Sequence, residues 1–406
     1  MTLSFGLFGC GVMGQRHIKG MAKLRQAGRM RFSLEGVCDL IPSSAERAAD
    51  LAEALLGKRP RVFASFAEMR AAIPLDGISI TTMPDAHVDL GIEALQAGVH
   101  VMVEKPIALT VRQGRRLVAA AQETGRKLAV AENYRRDPIN RLAKTLIDAG
   151  AIGRPFLAVQ ASSGSGEFVI ITPWRHLRQK CGIVVDMGVH YTDLLEYFLG
   201  PIEAVLGMNA IVDAERTGAD GARYPADAED LSVGAVRFKS GALGNWMLSM
   251  AGRGASYFHR AVYGDGGSLV IPMDRTGQPL QLTVRREGKD IPLSEAEQLA
   301  LVPDFALDPT TAALFGGERL SNYRMEFADI DANLIAIEYD DFAAAILDDR
   351  PPEVDGEGGL RALALVYGFL EAERLGRPVT AESLLSGEVS PYQDELEGVA
   401  ADRTSK

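Results

Sequence analysis

Short apolar runs and helical spacing alternate through the first third of the chain. LSFGLFG (3–9), FSLEGVCD (32–39), GISIT (77–81), VHVMVEK (99–105) and KLAVAEN (127–133) each read as a strand. Between them apolar positions recur at helical spacing over about 12–27, 43–56 and 110–124. PDAHVDLGIEALQAG (84–98) opens on proline and closes on glycine, as helices do. SFAE (65–68) and TVRQ (110–113) have the form of capping boxes. Strands alternating with helices predict a parallel sheet covered on both faces.

Beyond residue 150 the pattern changes. FLAVQASS (156–163), LSVGAVRF (231–238), ALGNWMLSM (242–250), HRAVYG (259–264) and SLVIPM (268–273) follow one another almost without helices. They predict a large, open, mainly antiparallel sheet. A helix over 183–199 interrupts it, and late helices over about 332–347 and 359–375 are expected to cover it. Residues about 288–330 carry no clear period and read as an irregular insertion, and GVAADRTSK (398–406) reads as a tail. The expected class is α/β: an N-terminal doubly wound parallel-sheet domain over 1–134, a C-terminal α+β domain over 135–390, and a tail over 391–406.

Composition narrows the function. A chain of 406 residues, 47% apolar and 24% charged, can bury two ordinary cores. The net charge of −11 and the absence of any long Lys/Arg run argue against a nucleic-acid surface. No window reaches membrane-spanning length, and no basic start followed by a long apolar stretch suggests a secretory leader. Cys10, Cys38 and Cys181, with no CxxC among them, fit a reducing compartment. The expected location is the cytoplasm.

FGCGVMGQRH (8–17) places Gly9, Gly11 and Gly14 at the spacing GxGxxG, directly after a strand and opening a helix. Gly9 would make the tight turn, Gly11 would admit a pyrophosphate to the helix N-terminus, and Gly14 would let helix and strand approach. A glycine-rich turn without ligand is the plainer reading, and the context argues against it. Asp39 ends the second strand, where an acid binds ribose hydroxyls and repels a 2′-phosphate; it could equally cap the next helix. LIPSS (40–44) offers no Arg or Lys for that phosphate, so NAD is favoured over NADP.

Lys105 follows the strand VHVMVEK, at the sheet edge where doubly wound folds bind ligands. It could hydrogen-bond a substrate hydroxyl, or simply pair with Glu104 at the surface. In VVDMGVHYTD (184–193), Asp186 and His190 stand one helical turn apart and share a face. They are a satisfied structural pair or working groups in a pocket. Two such ligands do not make a metal site, and no third is placed, so no metal is expected.

GCGVMGQRH (9–17), TTMPDAHVDLGIEALQAGVHVMVEKP (81–106) and GIVVDMGVHYTDLLEYFLG (182–200), in this order and spacing, resemble the Gfo/Idh/MocA oxidoreductases, the glucose–fructose oxidoreductase and inositol 2-dehydrogenase superfamily. The resemblance runs from Leu3 to about Pro201 and more loosely to about residue 275. It implies a Rossmann domain followed by an open mixed sheet, and hydride transfer between NAD(P) and a secondary hydroxyl of a sugar, sugar derivative or cyclic polyol. It puts the family's catalytic residues on Lys105, Asp186 and His190. Its TxPxxxH segment falls on Thr81–His87, its post-strand NyR-like segment on Asn133, Tyr134 and Arg135, and its Trp-Arg pair on Trp174 and Arg175.

The implied cofactor contacts are Gly9, Gly11, Val12, Met13, Gly14, Asp39, Thr82, Met83, Pro84, His87, Glu104, Lys105 and Asn133. The implied substrate contacts are Lys105, Arg135, Trp174, Arg175, Asp186 and His190. His190 would act as base, Asp186 would orient its ring, and Lys105 would stabilise charge on the carbinol oxygen. Trp174 as a core aromatic, Arg135 and Arg175 as surface residues, His87 on a helix surface and His100 as a packing residue are the bland alternatives.

The exposed face of the second sheet, with the alternation of LGNWMLSM, would suit a homodimer or homotetramer. Three other functions stay open. They are NAD-dependent glycoside cleavage by oxidation, elimination and reduction; dihydrodiol oxidation; and a non-enzymatic dinucleotide-binding regulator.

Overall fold

The apolar runs of the first third form one parallel sheet. In the computed structural model, which describes residues 2–398, they are β1 (Leu3–Phe8), β2 (Phe32–Cys38), β3 (Arg61–Phe63), β4 (Gly77–Ile80), β5 (His100–Glu104) and β6 (Leu128–Ala131). Helices α1 (Val12–Gln26), α2 (Pro42–Leu56), α3 (Phe66–Ala72), α4 (Pro84–Gln96) and α5 (Val111–Thr124) lie between them. The strand order is 3-2-1-4-5-6, all parallel, which is the doubly wound arrangement. Phe5, Leu7, Ile78, Ile80, Val101 and Val103 are buried, so the central strands show unbroken apolar runs rather than alternation.

The chain continues through α6 (Pro138–Asp148), β7 (Pro155–Ser165), α7 (Ile183–Leu199), β8 (Ile202–Ala210), β9 (Glu215–Thr217), β10 (Arg223–Pro225) and β11 (Leu231–Phe238). Then come β12 (Leu243–Gly252), β13 (Tyr257–Gly264), β14 (Gly267–Ile271), β15 (Gln281–Arg286), β16 (Lys289–Leu293), α8 (Glu295–Leu301), α9 (Pro309–Phe315), α10 (Phe327–Leu347), α11 (Gly356–Leu375), β17 (Val379–Thr380), α12 (Ala381–Ser386) and α13 (Pro391–Leu396). Nine of these strands make a mixed sheet in the order 16-15-14-13-7-12-11-8-17. Only β7 and β12 pair in parallel within it; the other neighbours are antiparallel.

Contacts divide the chain into two units. The first runs to Ala108 and adds Arg112–Pro138 and Ala306–Leu360; the second holds Leu109–Val111, Ile139–Phe305 and the chain from Arg361 onward. Helix α10 thus belongs with the parallel sheet, although its apolar pattern suggested a cover for the antiparallel one. The cause is specific packing. The Phe342 ring sits 5.4 Å from that of Phe5, and Tyr339 stacks on Phe32 at 5.3 Å. A Cβ on Gly20 of α1 would lie 2.6 Å from Ile335, so glycine lets the two helices touch. Lys23–Asp329 and Arg16–Asp331 ion pairs close the same contact.

The stretch 288–330, expected to be irregular, contains β16, α8 and α9. Ser294 and Glu297 form a full capping box at the start of α8. Asp308 caps α9 through the N–H groups of Thr310 and Thr311, both 3.0 Å away. The expected tail likewise begins with α13; residues 399–406 lie outside those described.

In the second unit α11 does cover the sheet. Trp246 of β12 stacks on Phe369 of α11 at 4.5 Å, and its indole N–H donates to Ser232 at 2.9 Å. The opposite face leaves Leu206, Met208, Val233 and Leu243 exposed.

Candidate active site

The turn after β1 is built by its glycines. Gly9 has φ +90°, and a Cβ there would lie 2.7 Å from the Thr81 backbone. A Cβ on Gly14 would fall 2.1 Å from the Gly9 carbonyl oxygen, so strand end and helix start are in direct contact. The Thr81 hydroxyl donates to that oxygen at 2.6 Å and locks the turn. Gly11 is different: a Cβ there meets nothing within 4 Å. As N-cap of α1 it offers no side-chain acceptor, and the first turn, with exposed Val12 and half-buried Met13, carries no acid. Uncapped N–H groups beside open space are the donor set a pyrophosphate requires. These residues fit the dinucleotide.

Asp39 is fixed by two backbone donors, Cys10 N–H at 2.7 Å and Ile41 N–H at 2.8 Å. One bond reaches the glycine turn and the other the start of α2, so the two readings of this acid coexist. Each carboxylate oxygen keeps further lone pairs for ribose hydroxyls.

At the ends of β4 and β5, His87 is fully buried rather than on a helix surface. Its ring nitrogens face the carbonyl oxygens of Pro106, 3.0 Å away, and Thr82, 3.1 Å away. Burial pushes its proton affinity down, and those carbonyls only partly offset it. The ring therefore holds two loops together. Thr82 is half-buried, Met83 is exposed, and Pro84 is buried as the first residue of α4.

Glu104 is buried, not a surface partner. His17 Nε2 donates to one oxygen at 2.8 Å, and Lys105 N–H donates to the other at 3.0 Å. Burial alone would raise this carboxyl, but His17 and Lys105 outweigh it and hold it below the usual range. Lys105 is half-buried at the carboxyl end of β5, followed by a cis bond to Pro106. After β6, Asn133 is half-buried with its Oδ1 enclosed and without a hydrogen-bond partner among the described residues. Arg135 is half-buried, and neighbouring Arg136 is buried between Asp341 and Glu353 at 3.1 Å each.

The second unit carries Asp186 and His190 on α7, both buried. The helix starts at Gly182, φ +76°, where a Cβ would lie 2.9 Å from Ala228. Asp186 stands in the first turn, where the helix dipole favours negative charge. Arg175, read from sequence as a rim or surface residue, is buried and ion-paired with Asp186. Trp174 is half-buried, with the Arg175 guanidinium 4.8 Å from its ring centre.

Sequence reasoning gave no role to His17, Glu132 or Glu338, all buried in the first unit. His17 lay inside a quoted motif, and Glu132 stood next to last in a predicted strand that in the structure ends one residue earlier, at Ala131. Glu338 sits in an apolar helical run with no local signal.

Residues 3–132 match the model of an oxidoreductase family with an NAD-binding Rossmann fold, and residues 144–381 match the model of that family's C-terminal alpha/beta domain. A 1,5-anhydro-D-fructose reductase of Ensifer adhaerens is 28% identical over 365 residues, 88% of this chain and 94% of the relative. A D-apiose dehydrogenase of Paraburkholderia graminis is 26% identical over 379 residues, 93% and 89%. The crystal structure of an NAD binding oxidoreductase from Klebsiella pneumoniae superposes with TM-score 0.77 at 24% identity, covering 94% of this chain and 99% of that one.

Proposed function

We propose that this chain, which belongs to the Gfo/Idh/MocA oxidoreductase family, interconverts a secondary hydroxyl and its ketone on a sugar, sugar derivative or cyclic polyol. The observation that carries this reading is the carboxyl edge of the parallel sheet. There the open, uncapped start of α1 and Lys105 belong to one unit, next to strand ends that are stapled by buried polar side chains. The relatives' names support the substrate class: they act on an anhydro-ketose, apiose and inositol.

When bound, NAD supplies the hydride acceptor. The first-turn N–H groups of α1 would hold its pyrophosphate, and Asp39 would accept from the hydroxyls of its adenosine ribose. His190 takes the hydroxyl proton, with Asp186 one turn before it as its anionic neighbour. Arg175 anchors Asp186, a positioning role rather than a substrate contact. Lys105 stabilises negative charge on the carbinol oxygen. Trp174 and Arg135 supply substrate contacts, and Thr82, Met83 and Asn133 supply cofactor contacts. The protein works as a homodimer or homotetramer through the apolar outer face of its mixed sheet.

A panel of sugars and polyols with NAD, followed by absorbance of the reduced cofactor, tests the reading. At least one substrate is expected, with Lys105→Met or His190→Gln lowering kcat by about 10²- to 10⁴-fold while NAD affinity persists. Silence across the panel from protein that binds NAD removes the assignment.

A further inference from the structure

Helix α1 opens on the glycine turn and, three residues beyond Gly14, carries His17, which is fully buried and so touches no small molecule. Its ring bridges three elements. Nδ1 lies 3.0 Å from the Tyr339 hydroxyl of α10 and 3.4 Å from that of Ser79 on β4, and Nε2 lies 2.8 Å from Glu104 at the end of β5. An ionised carboxylate only accepts, so Nε2 carries the hydrogen, and in the neutral ring Nδ1 accepts from the Tyr339 hydroxyl. The second Glu104 oxygen accepts the Lys105 N–H at 3.0 Å. One directed chain of hydrogen bonds therefore runs from α10 through α1 to the main chain of Lys105, every link inside the first unit.

We propose that His17 is a positioning residue that acts on Lys105 through Glu104: its Nε2–H holds the carboxylate in the orientation that grips the Lys105 N–H, and so fixes the lysine at the end of β5. The proposal rests on the reading of Lys105 given above.

A carboxylate closed off from water needs donors for its lone pairs. His17 and the Lys105 N–H supply one to each oxygen of Glu104. The titratable and charged groups that face it are Arg16 and His17 from α1, His87 from α4, Lys105 beside it, Glu132 after β6, and Glu338 and Tyr339 from α10. Burial pushes this carboxyl up; His17, ahead of Lys105 and Arg16, brings it below the usual range. Without the Nε2–H burial prevails, and the carboxyl takes up a proton at higher pH. A protonated Glu104 is a weaker acceptor, so loss of His17 loosens Lys105 and makes its placement depend on pH. The helix that opens on the phosphate cradle thereby also fixes the strand end that carries the lysine.

Hydrogen exchange of the full chain, with mass-spectrometric fragmentation that isolates the Lys105 amide, reads this without substrate or cofactor. In His17→Leu that amide is expected to exchange about tenfold to a hundredfold faster than in the wild type, while β4 and β6 keep their protection. His17→Gln, whose side-chain N–H replaces the Nε2–H, restores slow exchange. With a substrate from the panel above, kcat of His17→Leu is expected to fall about 10- to 100-fold at unchanged NAD affinity. It should fall further as pH drops from about 8 to about 5, an added loss that vanishes in His17→Leu/Glu104→Gln because the titrating group is gone.

Unchanged exchange at Lys105 in His17→Leu overturns the proposal, as does faster exchange spread evenly over β4 and β6, or failure of His17→Gln to restore protection. If His17→Leu does not fold, Ser79→Ala/Tyr339→Phe, which takes both hydroxyls from Nδ1, decides: Lys105 exchange at the wild-type rate overturns the proposal, and faster exchange at that amide alone supports it. Loss of turnover in Lys105→Met tests the underlying reading separately, so either can fail while the other stands.

Discussion

Single residues divide into those that shape the site and those that hold it. Gly11 and Gly14 differ in the space around them. Gly14→Ala forces a methyl against the Gly9 carbonyl and should cost about 1–3 kcal/mol, read as a lower Tm. Gly11→Ala meets nothing, so Tm should stay put while NAD affinity falls, measured by calorimetric titration. Equal affinity for NAD in Gly11→Ala and wild type would mean that the open side of this turn is not the phosphate cradle. Two histidines set the acid limit. His100 Nδ1 accepts the Lys127 N–H at 2.8 Å, and His176 Nε2 accepts the Ile170 N–H at 2.9 Å. Burial, with nearby cations, holds both near 4. Their folded values lie below the ordinary one, so their stabilisation is complete above about 6.5 and is lost as pH falls toward 4. Tm should decline over that window, and less steeply in His100→Gln or His176→Gln.

At the scale of elements, the glycine turn, the carboxyl-edge lysine and the Asp186–His190 helix were all legible, because each depends on spacing within one segment. What the sequence hid was long-range partnership. Helix α10 is apolar on most sides, so its periodicity could not say which sheet it covers; the answer lies in Gly20 accepting Ile335 and in the Phe5–Phe342 contact. Arg175 resembled a surface residue because its counter-charge is eleven positions away on the next helix. SEAE at 294–297 was a readable capping box inside a stretch judged irregular. The α10 contact gives a test. A fragment ending at Pro138 lacks this helix and exposes the α1 face; it should melt early or aggregate. The same fragment linked to Ala306–Leu360 should show a cooperative melt by circular dichroism. A cooperative, soluble 1–138 fragment would show that α10 is dispensable to the sheet.

For the whole molecule, no helix among the described residues is long and apolar enough to cross a membrane. The proposed assembly is tested by light scattering after size exclusion. Two or four copies are expected, and Met208→Glu, on the exposed apolar face, should shift the mass downward. A monomer in the wild type excludes the assembly. The parallel pairing of β7 with β12 has a separate consequence during synthesis. Both sheet neighbours of β7, β12 and β13, begin at or after Leu243, while β7 ends at Ser165. At a ribosomal pace of about 5–20 residues per second, the 77 intervening positions keep the two edges of β7 unpaired for roughly 4–15 seconds. Throughout that interval the nascent chain offers a bare, half-apolar strand to any other chain emerging nearby. Translation pauses between those positions would lengthen the exposure, and holdase chaperones acting there would govern the yield of native protein.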